Sequence, residues 1–167
     1  MAILPILTWP DPRLSTPCHP IGDIDEGLRK LAQDMLDTMY DAPGRGLAAP
    51  QVGVLTRLFV MDVDWKEGPA APVVMVNPVI DWASDEEITR EEGCLSIPGV
   101  RAEVSRPERV RMRWTTLEGE EVTRELDGFA ATCAQHELDH LDGRVTFDRV
   151  DAAQRAALEA AYAEALA

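Results

Sequence analysis

The chain has 167 residues, 46% of them hydrophobic and 28% charged, which are the proportions of one globular domain long enough to bury a core. Thirty acidic against sixteen basic residues give a formal net charge of −14, which repels phosphates and argues against direct nucleic-acid binding. No apolar run approaches a membrane span, and the first residues lack the basic region and cleavage site of a secretory signal. Three cysteines (Cys18, Cys94 and Cys133) at irregular spacings fit a reducing cytoplasm better than a disulfide framework.

In chain order, the first periodic segment is "DEGLRKLAQDMLDTMYDA", residues 25–42. Leu28, Leu31, Ala32, Met35, Leu36 and Met39 form one apolar stripe at helical spacing. "PGRGLAAPQVGV" follows, and its glycines and prolines predict a loop. Four β-rich runs come next, over 55–63, 71–80, 108–117 and 121–126. In the third, Val110, Met112 and Trp114 alternate with Arg111, Arg113 and Thr115, as in a half-buried strand. The basic cluster "RPERVRMR" (106–113) therefore reads as a charged, solvated strand face.

A second helix is expected from Asp127 or Gly128 to a terminating Gly143. A third spans 151–167, with Asp151 as N-cap and Leu158, Tyr162 and Leu166 spaced four apart to pack on the domain. A helix, then strands, then helices predicts an α+β fold.

The second helix carries "QHELDHLDG" (135–143). At about 100° per residue, His136 and His140 share a face and can reach one ion together. Glu137, beside the first histidine, can take a proton from water on that ion without itself being a ligand. A catalytic site needs a third protein ligand and an open position. Cys18, His19 and Cys94 are all candidates on composition. Cys94 is favoured, because Gly93 before it permits close backbone approach and the amides after it can face an oxyanion.

"GRGLAAPQVG" (44–53), "EEGCLSIPG" (91–99) and "QHELDHLDG" together resemble the three signature motifs of the bacterial-type peptide deformylases, in order and spacing. The resemblance runs from "PDPRL" near the start to "FDRV" at 147–150. It implies one domain over 1–167, with antiparallel strands packed around a central metal-binding helix and with N- and C-terminal helices. It implies Cys94, His136 and His140 as the metal ligands and Glu137 as the proton carrier. The oxyanion donors it implies are the Leu95 backbone N–H and the Gln51 side-chain amide. Gly46 would lie against the substrate backbone, a role compatible with that of a turn glycine of positive φ.

The implied activity is a metal-dependent hydrolase that removes the formyl group from formyl-methionyl nascent peptides and releases formate. The implied ion is ferrous iron (Fe2+), for which Zn2+ or Ni2+ can substitute. Transient ribosome contact and a monomeric state go with the resemblance. The acidic tail helix argues against tight docking through that element.

Two arginines depart from the pattern. Arg45 and Arg90 stand where aliphatic residues commonly line the substrate groove, and either can pair with Glu91 or Glu92 or point to solvent. They predict that methionine is accepted at the first side-chain position but is less dominant. Two alternatives accompany the main reading: a related metallohydrolase with altered substrate preference, and a catalytically silent binder of peptide N-termini.

Overall fold

Both faces of one short strand are covered by helices, and the rest of the domain is arranged around it. The computed structural model describes residues 2–167. Helix α1 (Glu26–Asp41) is followed by strands β1 (Gly46–Ala48), β2 (Leu58–Met61) and β3 (Val73–Ala83). A hairpin of β4 (Glu87–Cys94) and β5 (Ile97–Pro107) comes next, then β6 (Arg109–Thr115) and β7 (Glu121–Asp127). Helices α2 (Gly128–Leu141) and α3 (Ala152–Leu166) complete the chain. Strands β1, β2, β3, β6 and β7 form a five-stranded antiparallel sheet in the order β1-β2-β3-β6-β7, and β4 and β5 pair separately. The α+β expectation holds, with strands around the histidine-bearing helix.

Period-2 geometry places Leu58 and Val60 of β2 on one face and Phe59 and Met61 on the other. The first pair packs with the α1 stripe of Leu28, Ala32, Met35, Leu36 and Met39. The second packs with Ala131, Cys133, Ala134 and Leu141 of α2, and with Val110, Met112 and Trp114 of β6. Asp25 caps α1 by accepting the Leu28 N–H at 2.8 Å. Gly143 ends α2 in the left-handed region, at φ 79°, and a Cβ there would lie 3.0 Å from the backbone of Ser15 and Thr16. The small residues along α2 let it lie close against the sheet, so the histidines on its far side enter the interior.

Asp151 caps α3 by accepting the Gln154 N–H at 2.7 Å. Tyr162 is buried against Trp9 and Phe147, and its hydroxyl donates to the Trp9 carbonyl at 2.8 Å. The expected stripe stops short of Leu166, which is 58% exposed, while its neighbour Ala165 approaches Gly99 of β5. Three strands were missing from the sequence reading: β1 lies inside the Gly- and Pro-rich segment expected to be a loop, and β4 and β5 were unassigned. "EITREEGC" has too many charges and too little β-branched content to signal β4, and the unassigned stretch 97–107 is its partner β5.

The solvated reading of "RPERVRMR" also needs correction at its first residue. Arg106 is only 4% exposed. Its guanidinium donates to both oxygens of Glu92, at 2.7 and 3.0 Å, and to Asp139 at 2.9 Å. Arg149, in the turn after α2, donates to the same Asp139 carboxylate at 2.9 Å. Burial works against both carboxylates, but these cationic partners outweigh it and hold both below the usual carboxyl range; for Glu92, His136 assists. This chain of charges joins β4, β5, α2 and the turn that follows α2. Arg109, Arg111 and Arg113, on the outer face of β6, are the solvated ones.

Removing one member of a buried charge network leaves its partners uncompensated, which costs about 3–5 kcal/mol. Arg106→Ala should lower the urea unfolding free energy by about that amount, whereas Arg111→Ala should change it by less than about 0.5 kcal/mol. Equal effects from the two substitutions would contradict the burial argument.

Candidate metal centre

Cys94 is the last residue of β4, at the point where a register shift lets the hairpin turn through Leu95 and Ser96 into β5. That turn brings its thiol to His136 and His140, one helical turn apart on α2 with ring centroids 5.1 Å apart. One donor atom from each of the three lies within 4.8 Å of the others, and Cys94 Sγ is 3.4 Å from His140 Nε2. Metal–sulfur and metal–nitrogen bonds of about 2.3 and 2.1 Å at a tetrahedral angle place such donors about 3.6 Å apart. The Cys94–His140 pair is at that spacing, and the three donors together are close enough to share one divalent cation.

The electrostatics agree. Burial opposes the Cys94 thiolate, yet the neighbouring imidazoles of His140 and His136 outweigh it and bring the thiol down to about 5. His136 is buried too, which disfavours its charged form, but Cys94 and Glu92 reverse this and raise it well above the ordinary imidazole value. A group of donors that hold one another's charge in this way suits a cation in place of the protons. His136 Nδ1 lies 2.9 Å from Glu92 Oε1, so its Nε2 is left for the centre. His140 Nδ1 is buried without a hydrogen-bond partner.

Glu137 lines the cavity beside these donors and is 4% exposed. Its Oε1 is buried and has no partner, and burial raises its carboxyl above the ordinary value even though both imidazoles pull it down. Gly46 faces it. A Cβ on Gly46 would sit 2.6 Å from Glu137 Oε2 and 3.0 Å from Cys133 Sγ. Gly46 is not among the positive-φ glycines, so the turn explanation fails, and the requirement is space for the Glu137 carboxylate.

Gln51 is buried with its amide held at both ends. Oε1 accepts the Ala48 N–H at 2.9 Å, while Nε2 donates to Ser96 Oγ at 3.0 Å and faces Cys94 Sγ at 3.7 Å. Leu95 lies in the hairpin turn on the same wall.

These groups surround one cavity of about 530 Å³, a size suited to a small peptide-like ligand. Arg45 belongs to its wall but pairs with neither Glu91 nor Glu92. Its guanidinium donates to Glu67 at 2.6 and 3.0 Å and to the Val63 carbonyl, and it lies over the Phe129 ring at 5.4 Å. Arg90 does not line the cavity; it makes no ion pair among the described residues, and its Nε is buried without a partner. Cys18 and His19 lie outside the donor cluster, with Cys18 donating its N–H to the Leu141 carbonyl and His19 bridged to Thr56.

Sequence reasoning missed Glu92, Arg106, Asp139 and Ser96. Glu92 was accessible in principle, because reading "EEGC" as a strand puts it two residues from Cys94. Arg106 and Asp139 required the tertiary arrangement.

A family model described as polypeptide deformylase matches residues 3–156. A peptide deformylase of Alkalilimnicola ehrlichii is 49% identical over 157 residues, covering 93% of this chain and 86% of that protein. A peptide deformylase-like protein of Brucella melitensis is 44% identical over 162 residues, 97% of each. The crystal structure of a peptide deformylase from Legionella pneumophila superposes with a TM-score of 0.91 at 39% identity, covering 98% of this chain and 95% of that one. That of the Ehrlichia chaffeensis peptide deformylase in complex with actinonin gives 0.89 at 37%, covering 95% and 94%. With its sequence matched almost from end to end and its fold superposed on theirs, the chain belongs to the polypeptide deformylase family.

Proposed function

We propose that this deformylase holds its metal through Cys94, His136 and His140 and releases formate from formyl-methionyl peptides, with Glu137 moving the proton. The observation that carries this assignment of roles is the buried, unpartnered carboxylate oxygen of Glu137 beside three clustered soft and borderline donors. A divalent cation held there would supply Lewis acidity and would make water a nucleophile near neutral pH.

Glu137 accepts a proton from the attacking water and passes one to the amine nitrogen as the C–N bond breaks, giving formate and a free amino terminus. Its low exposure excludes competing solvent protons. Gln51 Nε2 and the Leu95 backbone N–H supply hydrogen bonds to the formyl oxygen as it gains negative charge. Because the Gln51 Oε1 is already tied to Ala48, its amide is oriented before substrate arrives. Glu92 holds His136 through Nδ1, and Gly46 keeps Glu137 from being displaced.

The ion we assign is ferrous iron (Fe2+), with Zn2+ or Ni2+ able to replace it, since one thiolate and two imidazoles suit each of them. The same reading places one domain of residues 1–167 in the cytoplasm as a monomer acting on formylated nascent peptides. No helix among the described residues is long and apolar enough to cross a membrane. Contact with the ribosome, on this reading, is transient. The α3 sequence "AAQRAALEAAYAEAL" carries one arginine against two glutamates, so that helix offers little attraction to phosphate.

Formate release from a formyl-Met peptide, measured with metal content under exclusion of oxygen, tests the assignment. Glu137→Ala should retain the ion and lose about 10²–10⁴ in turnover; full activity in that variant would overturn the role of Glu137. Gly46→Ala should also keep its metal, yet fall about 100-fold in kcat/KM, because a misplacement of about 1 Å at a catalytic group costs that much. Unchanged kcat/KM in Gly46→Ala would show that the close approach has no consequence. With iron as the native ion, exposure to air should abolish activity, and reloading with Ni2+ should restore it; air-stable activity of the iron form would contradict the assignment.

A further inference from the structure

The wall of this cavity carries a cation that the proposed chemistry leaves unused. Lys66 lies in the segment between β2 and β3 and lines the same cavity as Cys94, His136 and Glu137. This segment is tied to the groove on both sides of Lys66. Trp65 Nε1 donates to the Gly44 carbonyl at 2.9 Å, and Glu67 accepts from Arg45 at 2.6 and 3.0 Å. The Trp65 ring stands edge-on to Tyr40 at 5.2 Å, and the Glu67 and Gly68 N–H groups close a turn on the Asp64 carbonyl. The Lys66 ammonium lies 5.6 Å from the Trp65 ring centroid, a cation–π distance that limits its wandering.

The other charged side chains of the wall, apart from Glu137 at the centre, are already matched. Arg45 is neutralised by Glu67, Arg101 pairs with Glu91 at 2.8 Å, and Glu92 is held by Arg106. Lys66 alone among the lysines and arginines of the wall has no carboxylate within 4 Å among the described residues. In a chain of net charge −14, the cavity wall balances three cationic side chains (Arg45, Lys66, Arg101) against three carboxylates (Glu91, Glu92, Glu137), and Lys66 is the cation left open to a ligand's charge. A cavity of about 530 Å³ has room for more than one formylated residue, and Lys66 lines it together with Cys94, His136 and Glu137.

We propose that Lys66 reads a carboxylate on the substrate, so that formyl peptides with an acidic residue one or two places after the formylated one are preferred. This rests on the deformylase reading above and adds a substrate class to it. The preference is modest, because an ion pair at a solvent-exposed lysine contributes about 0.2–1 kcal/mol, at most about fivefold in kcat/KM.

The test compares kcat/KM for formate release from formyl-Met-Ala-Ser and formyl-Met-Glu-Ser, and from the corresponding peptides with Ala or Glu in third place, using the metal-loaded full chain. The parent should prefer the glutamate peptide of at least one pair by about threefold to fivefold at low salt. The preference should shrink toward unity at roughly 0.5 M salt, where screening is strong. Lys66→Ala should bring the ratio to about one, and Lys66→Glu should invert it. A ratio of one in the parent at both positions, or a preference unchanged in both variants, overturns the role of Lys66 and leaves the deformylase reading standing. No formate from any of the peptides overturns that reading and the inference together.

Discussion

The carboxylate of Glu92 is the group on which the site depends. It accepts two hydrogen bonds from Arg106 and meets His136 Nδ1 at 2.9 Å, so one buried anion is shared by the β4–β5 hairpin and α2. Cys94 stands two residues further along β4, and its position relative to the histidines follows from the same junction. Buried charge of this kind contributes little net stability compared with apolar packing of the same volume. What it supplies here is position: a histidine ring with one nitrogen engaged can turn only the other toward the centre. Asp139 and Arg149 extend the network into the turn after α2, so the end of that helix is anchored as well.

The apolar core brings these charges to depth. Strand β2 is buried on both faces, with α1 packed on one and α2 on the other. Alanines and cysteine on α2 allow the helix to approach the sheet, and β1 then passes Glu137 closely enough that any Cβ at position 46 would push its carboxylate aside. The buried carboxylate and the absent side chain are thus one arrangement seen from two elements. Burial raises the Glu137 carboxyl above its ordinary value, which makes it a better proton acceptor when ionised.

Much of this was legible in the chain. Helices α1, α2 and α3 follow from periodicity and caps, and β6 from the alternation of Val110, Met112 and Trp114 with charged neighbours. The one-turn spacing of His136 and His140 is a local property, so helix geometry alone places them together. The third donor is different, because Cys94 reaches the histidines through the pairing of β4 with β5, and the charge-rich text of β4 hides that strand. Arg106 was misread for a related reason: "RPERVRMR" spans two strands, and Arg106 belongs to the unassigned β5, where it continues the buried face of Ala102 and Val104. Arg45 and Arg90 were both expected at the groove, yet only Arg45 lines the cavity; Arg90 lies along strand β4. Leu166 had the right spacing for packing, but the last turn of α3 presents Ala165 to β5 instead.

The most direct measurement of the central claim is the affinity of the centre for a probe metal, Zn2+, in the parent and in Glu92→Ala, by competition with a chromophoric chelator. If the shared carboxylate orients His136, the variant should stay folded by circular dichroism under native conditions and bind Zn2+ about 10- to 100-fold more weakly. Undiminished affinity in a folded Glu92→Ala protein would show that the histidine is held by other means, and that the buried charge network does not organise the site.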